Sequence, residues 1–183
     1  MYPEYTEVNG KKYKIDTNFE TALRCFEIAN DTTITDYERI NAIVYLLFDF
    51  IPKKDINLFF EKAIIYLQCG QDAETQNSKK HNMDFNQDRK YINSSFMSDY
   101  HIDLSKEKLH FWQFIELIEG LSENCSLNRI RDIRDFDISK EKDSKRRNEI
   151  IEAKKRYALK TEKKEATKEQ KKSADEFYKN LKI

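Results

Sequence analysis

Glycine and proline are nearly missing from this sequence, with three and two residues in 183. So few chain-reversing residues favour helices over sheets. Three glycines also leave no room for a phosphate-cradling Walker loop or a dinucleotide fingerprint. Cysteine is scarce too: Cys25, Cys69 and Cys125 are odd in number and widely separated, with no CxxC and no Cys/His spacing. Neither a disulfide framework nor a zinc module is expected, and buried free thiols in a reducing cytosol are the plain reading. Long apolar runs are absent. The cluster AIVYLLFDFI is far too short to span a bilayer, and the opening MYPEYTEVNGKK has no apolar signal segment. A soluble cytosolic protein is expected.

Charge and large aromatic side chains are plentiful, at 36% and 13% of residues. A mean hydropathy of -0.85 means that the apolar residues must be gathered into faces. Net charge is zero but uneven. Residues 140–183 hold 16 Lys and Arg against 9 Asp and Glu, and the remainder holds 17 against 24, so an acidic body carries a basic tail.

Glu7 to Ile15 reads as a small hairpin, because Asn9-Gly10 suits the two positive-φ positions of a type I′ turn. Thr17 and Glu20 have capping-box spacing ahead of Phe19, Leu23 and Phe26. Thr35 and Glu38 open a second helix through Ile40, Ile43, Val44, Leu47 and Ile51, which Pro52 is expected to stop. A third carries Ile56, Phe59, Phe60, Ala63, Ile64 and Leu67 at i, i+3, i+4 spacing, with Gly70 placed for a left-handed end. Gln71 to Asn82 is an expected exposed loop. Asp84 is expected to begin a helix with Phe85, Ile92 and Phe96 inward and Tyr100 at its end. Leu109 to Leu121 is apolar on nearly every side, so it is either central to a core or covered by a partner. Leu127, Ile130 and Ile133 mark a shorter helix, and sparse apolar anchors continue to Leu159. The stretch KTEKKEATKEQKKSADE forms helix readily but has no apolar seam.

The expected architecture is all-α: six to seven helices and a hairpin in a domain over residues 1–159, then a charged, mobile helical tail over 160–183. No catalytic constellation emerges, so no enzyme, cofactor or metal is expected. His81, His101 and His110 lie in unrelated contexts. Asp84 and Asp88, one helical turn apart, have the spacing of a cation or acid–base pair, but an N-cap followed by a first-turn acid is the more ordinary reading. The candidate partner-binding residues are Phe111, Trp112, Phe114 and Ile115, with Lys145, Arg146, Arg147, Lys154, Lys155 and Arg156. The aromatics read first as core and second as part of a groove for a partner helix. The six cations fall within about three helical turns, enough to dock on phosphates. Yet Glu149, Glu152, Glu162, Glu165 and Glu169 interleave with or follow them, as on a solvated helix.

Five segments carry a resemblance: EVNGKKYKIDTNFETAL, LQCG, DFNQDRKYINSSFMSDYHIDL, LHFWQFIELIEGL and RDFDISKEKDSKRR followed by KKRYAL. In this order, from about Val8 to Leu159, they resemble the gene-product-fifteen family of long-tailed bacteriophages and prophages. Two departures are Phe111, where a second Trp or a similar residue is usual, and a longer tail beyond Leu159. The resemblance implies a tail assembly chaperone, acting in the host bacterial cytoplasm and absent from the finished virion. Its expected partner is the tape-measure protein, a long, helical, partly apolar chain. The tail tube protein, a companion chaperone and further copies of itself are the other expected partners, with no membrane. Two alternatives stand beside this reading: a structural tail component retained in the virion, and a nucleic-acid-binding protein acting through its basic C-terminal helix.

Overall fold

The computed structural model describes residues 1–70 and 82–160. Asn9 (φ 50°) and Gly10 (φ 74°) take the two left-handed positions between strands β1 (Tyr5–Val8) and β2 (Lys11–Lys14), giving the expected hairpin. The register runs from Tyr5 opposite Lys14 to Val8 opposite Lys11. A lone hairpin is marginal in water, and this one is held from within its own unit. Val8 and Ile15 are buried, and Tyr13 meets Phe59 edge-on at 4.8 Å. The described residues fall into two compact units, one of residues 1–70 with 109–113 and one of 82–108 with 114–160. Among them the fold is all-α apart from the hairpin.

In the first unit, helices α1 (Phe19–Asn30), α2 (Asp36–Phe48) and α3 (Ile56–Leu67) follow the hairpin, α2 packing against both others. The Thr35–Glu38 capping box forms with both of its reciprocal bonds. The Thr35 amide, then its hydroxyl, each donating to the Glu38 carboxylate at 2.8 Å, hold that carboxyl below its ordinary value. Arg39 reaches back from α2 to the end of α1, where it donates to the carbonyls of Ile28 (3.4 Å) and Asp31 (2.7 Å). Two local expectations are corrected, and a third, the left-handed Gly70, is met. Asn18, not Thr17, caps α1, its side chain accepting from the Glu20 amide. Helix α2 ends at Phe48 because Asp49 turns left-handed (φ 60°), so Pro52 is not its stop and Ile51 is 52% exposed. At the end of α3 Cys69 (φ 55°) turns left-handed before Gly70 (φ 71°) does, and the Gly70 amide donates to the Ile65 carbonyl at 2.9 Å.

In the second unit, α4 (Arg89–Tyr100) packs on α6 (Ser126–Asp135), and α6 on α7 (Ser144–Tyr157). Helix α5 (Phe111–Glu119) supplies residues to both units. Ser95, wholly buried on α4, accepts the Leu127 amide at 3.0 Å and so satisfies a donor in the first turn of α6. The Sγ of Cys125 takes the next such donor, the Asn128 amide, at 3.4 Å. Asp84 does not begin α4 as expected. Its carboxylate accepts the amides of Asn86 (3.0 Å) and Gln87 (2.8 Å), closing a separate turn before the helix starts at Arg89. The expected loop after Gly70, with His81 in it, and the expected tail beyond Lys160 lie outside the described residues.

Candidate functional site

The start of α5 is built by a short antiparallel pairing within the first unit. The Phe111 amide donates to the Thr17 carbonyl (2.7 Å), and the Phe19 amide to the Leu109 carbonyl (3.1 Å), so His110 stands opposite Asn18. His110 caps the helix: its Nδ1 accepts the Trp112 amide at 3.1 Å. A backbone N–H can only donate, so the imidazole proton belongs on Nε2, which donates to the Pro3 carbonyl at 3.1 Å. Tyr2 stacks on the same ring at 4.9 Å. Both nitrogens are thereby engaged in holding backbone.

Trp112 is half-buried. Its indole Nε1 donates to the Tyr66 carbonyl at 2.9 Å, and its ring covers Gly70 so closely that a Cβ there would lie 3.2 Å from the indole edge. Phe111 is 1% exposed, beside Phe26 and Tyr66. Tyr66 is itself buried, which pushes its phenol above its ordinary value, with Cys69, Asp16 and Cys25 adding to the effect. In the second unit Phe114 is 0% exposed and stacks on Phe96 at 5.4 Å, while Ile115 is half-buried. Of the four candidate α5 residues, two are therefore wholly interior, and only Trp112 and Ile115 keep part of their surface.

The larger apolar exposure lies on the first unit. Tyr45 on α2 is 51% exposed, and on α3 Leu58 is 39% and Ile65 44% exposed. Leu58 and Ile65 are seven residues apart, two helical turns, and therefore share one face. Sequence reading passed over them because it assigned α3 by its inward stripe. Their signal was their spacing: positions 58 and 65 fall outside the i, i+3, i+4 stripe of Ile56, Phe59, Phe60, Ala63, Ile64 and Leu67.

The six candidate cations, all on α7, are put to different uses. Lys154 donates to the Arg134 carbonyl at 2.6 Å, Lys155 pairs with Glu152 at 2.8 Å, and Arg146 lies 3.3 Å from Glu141. The hydrogen bond from Lys155, then its charge and that of Arg156, hold the Glu152 carboxyl below its ordinary value. Lys145, Arg147 and Arg156 are exposed, with no ion pair among the described residues.

One constellation escaped the sequence. Asp88 is wholly buried, and its carboxylate takes both terminal nitrogens of Arg134 at 2.7 Å each. The Asp84 amide adds a third bond at 3.0 Å. Arg134 also donates to the carbonyls of Asn82 (2.8 Å) and Tyr157 (2.6 Å). Asp88 is thus neither one half of a cation site with Asp84 nor a helix-dipole acid. It is the anion of a buried, bidentate pair. The signal was present: Asp88 continues the buried α4 stripe Ile92, Ser95 and Phe96, and Arg134 continues Leu127 and Ile130 on α6. Opposite charges that extend two apolar stripes are candidates to meet.

The thiols give a direct check on this packing. Cys25 is fully buried, and desolvation with the nearby Asp16 charge pushes it up to about 12. Cys125 is buried, whereas Cys69 is half-buried. The thiolate is the nucleophile, so brief alkylation of the native chain at about pH 8 should modify Cys69 and spare Cys25 and Cys125 until denaturant is added. Peptide mass mapping reads the result, and equal labelling of Cys25 and Cys69 would contradict the packing.

Among the described residues no group of three or more His, Cys, Asp or Glu is arranged to hold a metal ion, and no helix is long and apolar enough to cross a membrane. No curated protein and no solved structure matches the chain. The family model described as Bacteriophage Gp15 protein matches residues 2–159, which takes in every element from β1 to α7. By that match the chain belongs to the bacteriophage Gp15 protein family.

Proposed function

We propose that this protein is a non-enzymatic tail assembly chaperone, which binds the tape-measure protein in the host cytoplasm and supports assembly of the tail tube around it. The observation that carries the reading is the family match over residues 2–159. The surface chemistry supports it. Tyr45, Leu58 and Ile65 offer apolar area that the fold leaves in water, suited to the apolar stripe of a partner helix. Burying one such side chain fully contributes roughly 1.5–3 kcal/mol, and part of that gain is already realised in the free protein. After the cost of association, each site would be weak, and repetition along one long partner would raise the overall avidity. Release as the tube polymerises demands that weakness.

Co-expression with the tape-measure protein tests the reading. A complex is expected, together with a larger soluble fraction of tape measure. Joint replacement Leu58→Asp and Ile65→Asp should abolish both while leaving the far-UV circular dichroism unchanged, since both side chains are exposed. No complex and no gain in solubility would remove the proposal. A structural role in the tail predicts the chain among the proteins of purified particles, and the chaperone reading predicts its absence there. Nucleic-acid binding is the weaker reading, because three of the six α7 cations already have partners within the chain.

A further inference from the structure

We infer that the outward flank of α7 is a self-docking surface, on which a second copy of this chain lies antiparallel with Glu149 of each copy against Arg156 of the other. This deepens the expected self-association by naming its face and register, and its test is separate from tape-measure binding, so either can fail alone. Helix α7 packs on α6 yet has no fully buried residue; Ile150, Ile151, Lys154 and Tyr157 are all only half-buried. Beside that stripe Asn148, Glu149, Glu152, Ala153 and Arg156 line an open groove of about 430 Å³. Along it the order is acid at 149 and 152, a methyl group at 153 and a cation at 156.

Charge decides what fits there. Glu152 is matched within its own helix by Lys155 at 2.8 Å. Glu149 and Arg156 are exposed and make no ion pair among the described residues. They are seven residues apart, about 10 Å along the axis, too far to pair with each other. A parallel second copy would set Glu149 on Glu149 and Arg156 on Arg156. An antiparallel copy shifted by one turn towards the N-terminus would set Glu149 on Glu152. The antiparallel copy centred between Glu152 and Ala153 brings Glu149 onto Arg156 twice, once through each half of the two-fold. It also places the short Ala153 side chain at the crossing, where the backbones come closest. Lys145 then falls level with Lys160 at the rim, where water and salt screen the repulsion. Charge order thus selects the antiparallel orientation, as flanking charges do in coiled coils, and Ala153 at the crossing sets this register apart from a shift towards the C-terminus, which would set Glu149 on Lys160. Exposed pairs of this kind bind weakly, so the dimer is a low-affinity, salt-sensitive one.

Sedimentation velocity on the full chain tests this. Concentration-dependent dimerisation is expected at about 50 mM salt, weakened at least about tenfold at about 500 mM. Arg156→Glu and Glu149→Arg should each leave the chain monomeric under the low-salt conditions. Mixing the two variants in equal amounts should restore the dimer, because one then carries acids at both positions and the other cations at both. Both positions are exposed, and unchanged far-UV circular dichroism would show that each variant folds. A chain that stays monomeric at low salt overturns the inference, as does a dimer that survives either single substitution or a mixture that fails to recover it.

Discussion

Asp88→Ala is expected to destabilise the second unit by about 3–5 kcal/mol, because it strands the Arg134 guanidinium in a site built for an ion pair. The loss is larger than a salt bridge on the surface would give, where about 0–1 kcal/mol is usual. Burial makes the difference: the two side chains are 1% and 11% exposed, so water cannot replace the lost partner. Arg134 would keep its bonds to the Asn82 and Tyr157 carbonyls, but neither neutralises its charge. Replacing the pair jointly, as Asp88→Leu with Arg134→Met, should recover most of the loss, since apolar substitutes for buried pairs are often neutral or stabilising. Urea unfolding followed by far-UV circular dichroism measures both variants. A single-variant loss under about 0.5 kcal/mol, the scale of an ordinary surface change, would mean that the pair is not buried in solution.

Phe114→Ala is expected to cost about 3–5 kcal/mol through the cavity left beside Phe96 and Phe85. The contrast with the exposed α3 side chains makes this informative. Phe114 and Phe111 were candidate contact residues for a partner, and the structure places both inside. Their substitution should lower the unfolding midpoint, whereas Leu58→Asp and Ile65→Asp should leave it nearly unchanged and act on partner binding. A Phe114→Ala variant of unaltered stability but impaired complex formation would return that ring to the binding surface.

Both expectations turn on positions where local pattern and tertiary setting disagree. The all-round apolar character of α5 is the plainest case. A helix of that composition is either central or covered. Here its successive faces are central to different neighbours, Phe111 beside Phe26 and Tyr66, Phe114 beside Phe96 and Phe85. The run of residues could not distinguish this from a groove awaiting a partner, because both put the same side chains out of water. The charges on α7 show the converse: Lys154 and Arg156 are equivalent in sequence, and only the position of α6 turns one inward to the Arg134 carbonyl.

The residues themselves were sufficient for whatever is set by interactions over a few positions. Asn9-Gly10 imposed the hairpin turn, Thr35 and Glu38 built the capping box, and the i, i+3, i+4 spacing of α3 named its inward stripe. Five ordered segments were likewise enough to indicate the family. Tertiary structure alone decided the rest: Asp88 opposite Arg134, 46 residues away, and Ser95 under the Leu127 amide. It also left Leu58 and Ile65 outside. The physical reason is that a cap or turn is satisfied by its own chain neighbours. The fate of a buried charge or an apolar face depends on which distant element arrives to meet it.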